Sequence, residues 1–404
     1  SMSFFGEYSS YEPDIPWPGG RSTAITWRAD DQTTWLFGGY GRGEEAYHSQ
    51  SWLNDLWTVR FNGSQPLWTF ESGSRRTNDG GTYTELHEAG GSPRARGFAV
   101  GWRGAHNSGW LHGGQTYAQG GGSALVDDLW QISLNDGEWT RRGGRSASSA
   151  ENPDVAAGRW PSARCAHAVA ATGPDGGAYL FGGFGVAASG RPELLHDLWS
   201  FDASKAGPSS TSSPWTRINF GPTPRATHSL FMAAGKLWLH GGEGSAGFLG
   251  DLWSFGQDDG WHQEHPVAAG AAGVYGGEAP PQRGAELRPG ARKRQTFWHD
   301  RRSNDTVWML GGEGADANGQ DGWLDDLWRL RLGGATAEWE WVGGSKVAAG
   351  YAPPLQWGPS GRASVAVLNG GTDEEGKALL FGGYRMLGRS SEVLNDLWEL
   401  TITT

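Results

Sequence analysis

Cysteine is nearly missing from this chain: Cys165 stands alone among 404 residues. That excludes an internal disulfide and any zinc or iron–sulfur site built from several thiolates. It also favours a reducing compartment such as the cytoplasm. Long apolar runs are missing as well, and none approaches the roughly 20 residues needed to span a bilayer. The opening SMSFFGEYSS has neither the basic nor the apolar region of a signal peptide. Positive charge is not in excess: the formal charge is −11, which argues against nucleic-acid or anionic-membrane partners. What abounds instead is glycine and tryptophan, 67 and 24 residues, beside 20 prolines. Glycine at that density without a G-X-Y period, mixed with tryptophan, predicts tight turns between short aromatic strands. The expected class is all-β.

The chain repeats itself. A double glycine follows an apolar strand six times, at Gly38-Gly39, Gly113-Gly114, Gly182-Gly183, Gly241-Gly242, Gly311-Gly312 and Gly382-Gly383. Each pair is followed by Asp-Leu-Trp: Asp55 to Trp57, Asp128 to Trp130, Asp197 to Trp199, Asp251 to Trp253, Asp326 to Trp328 and Asp396 to Trp398. About 17 residues before each pair an arginine opens another apolar run: Arg21, Arg96, Arg164, Arg225, Arg294 and Arg362. After five triplets a further tryptophan begins a short strand, at Trp68, Trp139, Trp215, Trp261 and Trp339. Each unit therefore reads as four strands, a to d. A single such sheet cannot bury both faces, so the units must stack, and six closed around an axis make a β-propeller. The blades fall at about 20–71, 94–142, 162–218, 223–263, 292–344 and 360–402, the whole of 1–404 forming one domain. The last unit ends without a strand d. Because WPGGR at 17–21 matches WPSAR at 160–164, the preceding segment 3–9 is expected to pair in that blade and close the ring.

The glycine pairs, the spaced tryptophans and the four-strand unit resemble the kelch repeat. The array over nearly the whole chain resembles a six-bladed kelch propeller of the superfamily that includes the central domain of galactose oxidase. The glycine pairs stand 59 to 75 residues apart, longer than the roughly 50 of a compact kelch unit. Galactose oxidase-type chemistry needs a cysteine cross-linked to a tyrosine and histidine ligands, a set the sequence does not assemble. The regularly spaced Glu, Asp and His of the iron-dependent kelch specifier proteins are also missing. No catalytic, metal or cofactor set is therefore expected.

Six copies of Asp-Leu-Trp argue for structure, since a catalytic centre is an asymmetric constellation. Asp55, Asp128, Asp197, Asp251, Asp326 and Asp396 are expected to accept hydrogen bonds from turn amides or the blade-opening arginines. The paired Trp57, Trp130, Trp199, Trp253, Trp328 and Trp398 are expected to wedge between blades. His112 and His240 occupy the position held by Phe37 or Phe181 elsewhere and read as packing. Strand parity puts the b–c and d–a connections on one face. There the long loops gather: 40–51, 115–126, 184–196 and 313–323, with 72–93, 141–162, 262–293 and 342–361. Repeat proteins place such insertions on the binding side.

On that face the residue after each glycine pair varies: Tyr40, Gln115, Phe184, Glu243, Glu313 and Tyr384. Arg42, Tyr47, His48, Tyr117, Arg191, Tyr275, Arg385 and Arg389 add the aromatic and arginine character of interaction hot spots. The preferred expectation is a non-catalytic module that binds a protein or peptide, as a monomeric propeller within a larger protein. Two rivals stand beside it. One is carbohydrate binding through loop aromatics such as Trp160, Tyr351 and Trp357. The other is a metal-assisted enzyme using the paired carboxylates of Glu243 and Glu313.

Overall fold

The computed structural model describes residues 2–6, 17–44, 50–62, 65–118, 120–145, 153–187, 190–276, 287–334, 336–348, 361–368, 376–387 and 390–402. Among them the chain is all-β. The described helices are the four residues Pro153–Ala156 and the 3-10 turn Ala203–Lys205. Every strand pairing is antiparallel, and the chain divides into two compact units, Glu7–Ala226 and Ser1–Gly6 with Thr227–Thr404.

Within Glu7–Ala226 the first repeat sets the pattern. Asp30 Oδ1 accepts from the amides of Gln32 and Thr33 at 2.8 and 2.7 Å, a turn that launches Thr33–Arg42. That strand, rich in β-branched and aromatic residues, pairs with Gln50–Asn62, which pairs with Gln65–Ser72. Strand a comes in two pieces, Arg21–Ser22 and Ile25–Arg28, because Thr23 between them has a φ of 57°. The same break recurs at Phe98, Ala166, Thr227, Arg294 and Ser364, with φ from 53 to 57°. The third repeat repeats this layout. In the second, strand b is cut at Gly113-Gly114 into Ser108–His112 and Gln115–Tyr117, which fall in separate sheets. Its outer strand Trp139–Gly143 is covered by a further short strand, Ala89–Gly91.

Within the other unit the fourth and fifth repeats follow the pattern. The sixth shows the expected pairing of terminal strands: Met2–Gly6 lies against Ser390–Thr401, with Met2 opposite Leu400 and Phe4 opposite Trp398. The observed strand is Met2–Gly6 rather than 3–9, and residues 7–9 lie outside the described ones.

The glycine pairs are bulges. The register slips between Phe37 and Gly39, and at the equivalent point of four other repeats. In all six pairs the first glycine has φ between 58 and 67° and the second between 98 and 113°. A Cβ on Gly38 would lie 2.8 Å from the Leu53 carbonyl oxygen and 3.2 Å from that of Arg96, so both dihedral and space require glycine.

One latch recurs behind the bulges of the first, second, third, fifth and sixth repeats. Arg21 donates to the Gly38 carbonyl at 3.0 Å and forks onto both oxygens of Asp55 at 2.7 and 2.6 Å. Trp57 Nε1 donates to the same carboxylate at 2.6 Å. Arg96–Asp128, Arg164–Asp197, Arg292–Asp326 and Arg362–Asp396 repeat the pair at 2.6 to 2.7 Å. The tryptophan-to-aspartate bond is present in all six triplets at 2.6 to 2.8 Å. One sequence assignment is corrected here. The fifth latch arginine is Arg292, not Arg294. Arg294 instead takes the positive-φ position two residues on, where its amide donates to the Thr227 carbonyl.

The core lies between successive sheets. Trp27, Trp35 and Phe37 of the first repeat pack with Trp130, Ile132 and Trp139 of the second. Trp102 and Trp110 of the second pack with Trp199, Phe201 and Trp215 of the third. In the other unit, Phe231 and Trp238 meet Met309, Trp328 and Trp339, and Trp298 and Trp308 meet Leu380 and Leu400. Indole donors cross these seams, Trp35 Nε1 to the Leu134 carbonyl and Trp102 Nε1 to that of Gly176. Each buried tryptophan removes roughly 150–250 Å² from water, an upper bound of about 4–6 kcal/mol before chain entropy. Stacking is thus what holds these sheets, since none encloses a core of its own.

Candidate functional site

The bulge fixes where the next residue goes. Past each glycine pair, strand b runs on between the start of strand a and the start of strand c, carrying the variable position out of the core. In Glu7–Ala226 this position holds Tyr40, Gln115 and Phe184. Tyr40 is half-buried and meets Trp52 edge-on at 5.0 Å. Gln115 is half-buried opposite Gly97 and Leu125. Phe184 is 40% exposed, and Tyr117, two residues beyond Gln115, is 45% exposed. Arg42 is half-buried and Arg191 exposed.

In the other unit the same position holds Glu243, Glu313 and Tyr384. Lys293 Nζ lies 2.9 Å from Glu243 and 3.7 Å from Glu313, and Arg294 lies 3.7 Å from Glu313. The Lys293 ammonium also sits 4.8 Å from the Phe248 ring centre. The two carboxylates are therefore brought together, but around Lys293 and Arg294, which together balance their charge. Tyr384 packs on Trp323 at 5.3 Å, and Arg385 pairs with Glu392 at 2.9 Å.

Tyr275 departs from its expected surface role. Its hydroxyl donates to Asp326 Oδ2 at 2.7 Å, its ring packs on Trp328, and burial followed by the Asp326 charge pushes its phenol well above the usual range. Tyr83 does the same for Asp128 at 2.7 Å. Both are parts of the latch, supplied by the long d–a loops. Trp160 is likewise buried, with its indole on the Asp127 carbonyl at 2.9 Å, so it offers no sugar platform. Tyr47, His48, Tyr351, Trp357 and Arg389 lie outside the described residues.

The b–c and d–a loops interlock. In the first repeat the amide of Glu44 donates to Arg75 and that of Asn78 to Trp52, while Asn54 Nδ2 reaches Asp79 Oδ1 at 3.0 Å. In the fifth, the amide of Gly273 donates to the Asp316 carbonyl, that of Ala317 to Lys346, and that of Ala348 to Asp316 Oδ2 at 3.0 Å. At the other end of the strands the connections 105–107 and 134–138 are short, while 202–214 is long and carries the 3-10 turn.

The histidines pack as expected. His112 and His240 are fully buried, with His112 Nδ1 3.2 Å from His167 Nε2 and His240 Nδ1 3.3 Å from Gln295 Nε2. Burial and the Arg164 charge push His112 down to about 3, so it is neutral at physiological pH. Cys165 is buried and its thiol is pushed up to about 12, so it is inert. Sequence reasoning missed Lys293, Tyr83 and the role of Tyr275. The signal was present only as the basic run ARKRQ at 291–295 and an isolated tyrosine in each of the loops 72–93 and 262–293.

No family model matches this chain, and no curated protein sequence matches it. Among solved structures it is similar to that of YjhT, at 14% identity over 96% of each chain, with a TM-score of 0.59. At that identity the likeness concerns the fold alone, which is all-β and propeller-like.

Proposed function

We propose that the six repeats are the blades of one kelch propeller, the last completed by the N-terminal strand, and that it is a non-catalytic recognition module. Its ligand is a protein or peptide, bound on the face formed by the b–c and d–a loops. One observation carries the reading: in the first repeat and again in the fifth, the b–c and d–a loops are hydrogen-bonded to one another. On that surface Tyr117 and Phe184 are left exposed. Exposed aromatics on a rigid frame suit peptide recognition at low entropic cost. The latch residues, by contrast, are saturated by one another and leave no asymmetric reactive set.

The test is selection of peptides from a random displayed library on the immobilised full chain, followed by fluorescence polarisation. The double variant Tyr117→Ala/Phe184→Ala should weaken selected peptides at least tenfold. Leu67→Ala, at a 60% exposed position on the short-turn end of strand d, should leave them unchanged. Selection of no peptide, or equal binding by the double variant, defeats the proposal.

A further inference from the structure

The second and fifth repeats supply an internal control. Both carry a tyrosine that caps the latch aspartate, Tyr83 on Asp128 and Tyr275 on Asp326. Both hold the capping loop by an isolated bridge, Thr82 to Ser92 and Val274 to Arg288. Both set strand d in the same register, with Trp130 opposite Arg141 and Trp328 opposite Trp341. The frame is therefore one, but its side chains differ in charge. Where the fifth repeat has Gly290, Trp341 and Val342, the second has Arg94, Arg141 and Arg142. The tyrosine cap forms without these arginines in the fifth repeat, so the fold does not need them.

The three cations are gathered and unneutralised. Arg94 and Arg141 both lie over the Tyr83 ring, at 5.7 and 5.9 Å from its centre. Arg142 reaches His87 at 3.4 Å and donates to Gln131, and the amide of His87 donates to the Arg141 carbonyl. All three are half-buried, and the Nε atoms of Arg94 and Arg141 are buried without a partner. Among the described residues none of the three makes an ion pair, and Glu85 and Glu88 of the covering loop ion-pair with none of them. Burial lowers Arg142 below the usual arginine range, and burial followed by Arg142 and Arg141 lowers His87. In a chain of net charge −11, a partly desolvated cluster of one sign is a local exception. Arg141 donates to the Gly144 and Thr84 carbonyls at 3.4 and 3.3 Å and Arg142 forks onto Gln131, neutral acceptors that a carboxylate outcompetes.

We infer that Arg94 and Arg141 over Tyr83, with Arg142 beside them on His87 and Gln131, form an anion-recognition site that takes an acidic segment of the peptide ligand, rich in aspartate or glutamate. The inference rests on the loop-face reading above and adds the chemistry of the ligand. Several separate guanidiniums match a row of carboxylates better than a single compact anion.

The experiment is fluorescence polarisation of the full chain with a labelled deca-glutamate peptide in 50 and 200 mM salt. The wild type should bind, and more weakly at the higher salt. The variant Arg94→Gly/Arg141→Trp/Arg142→Val, which installs residues the fifth repeat already accommodates, should lose at least tenfold while far-UV circular dichroism and the thermal midpoint hold. Should that variant not fold, Arg142→Gln alone should lose several-fold. No binding by the wild type in 50 mM salt, or equal binding by the folded variants, overturns the inference. So does displacement of the peptide by a deca-deoxythymidine oligonucleotide at lower concentration than by unlabelled peptide. The two readings separate cleanly: if selected peptides depend on Tyr117 and Phe184 but ignore the arginine variants, the recognition face stands and the acidic-ligand site falls.

Discussion

Replacing Asp128 with alanine tests the latch most directly. The carboxylate has no exposed surface and accepts from Arg96 at 2.6 and 2.7 Å, from Trp130 at 2.8 Å and from Tyr83 at 2.7 Å. Removing it leaves the Arg96 guanidinium buried and uncompensated, at a cost of about 3–5 kcal/mol. The orphaned indole and phenol add about 1–3 kcal/mol each when nothing replaces the acceptor. Because the donors share one acceptor these terms overlap, and the expected loss is about 5 kcal/mol. Asp128→Asn keeps an accepting oxygen and should lose about 3 kcal/mol, the lower end of the charge term. Urea unfolding followed by tryptophan fluorescence reads the difference. Asp154→Ala is the control, since its pair with Arg159 is half exposed and is worth about 1 kcal/mol at most. The double variant Arg96→Met/Asp128→Leu should recover most of the loss, as apolar replacement of a buried pair is often neutral. A loss below about 1 kcal/mol in Asp128→Ala would refute the latch as a stability element. The pH dependence follows with a definite sign. Burial alone would raise the Asp128 pKa, but Arg96 and the hydrogen bonds from Arg96, Trp130 and Tyr83 hold it below the carboxylate range. Its contribution is therefore full above about pH 4, the unfolded value, and is lost as pH falls through the folded pKa.

Gly38→Ala should destabilise by more than the roughly 1–2 kcal/mol of a left-handed φ, because its Cβ meets the Leu53 and Arg96 carbonyls. Gly235→Ala, also at positive φ but facing open space, should lose only the dihedral cost, and chemical denaturation of the two variants separates the terms. His112→Phe should flatten stability against pH. With the folded His112 pushed down to about 3, the unfolded state alone takes up this proton as pH falls below about 6.5, which costs about 2 kcal/mol by pH 5. Equal slopes for wild type and His112→Phe between pH 7 and 5 would contradict a neutral buried histidine. Cys165 should resist an aromatic disulfide reagent at pH 8 in native protein and react fully in urea, which absorbance at the thiolate product wavelength measures.

The latch was half legible. Arginine, glycine pair and aspartate recur at near-constant spacing, so their partnership follows from repetition alone. The acceptor role of the aspartate toward its own tryptophan was not visible, because it depends on a rotamer two residues along strand c. The fifth repeat shows the limit most clearly. ARKRQ offers Arg292 and Arg294 at a spacing of two, both on one side of an extended strand, so periodicity cannot choose between them. The left-handed φ at Arg294 decides, turning it onto the backbone of the neighbouring repeat while Arg292 enters the core.

Taken alone, the sequence determined what every repeat must solve identically: strand number, bulge position, buried tryptophan and the buried charge pair. These are local or periodic demands, and six copies state them six times. Tertiary structure decided what the repeats do not share. Tyr275 left the surface to cap Asp326, Lys293 came between Glu243 and Glu313, Arg94 and Arg141 gathered over Tyr83, and Arg142 came against His87. Each of these depends on where a long loop returns to its sheet. That return is set by backbone hydrogen bonds between segments far apart in sequence, which carry no period to read.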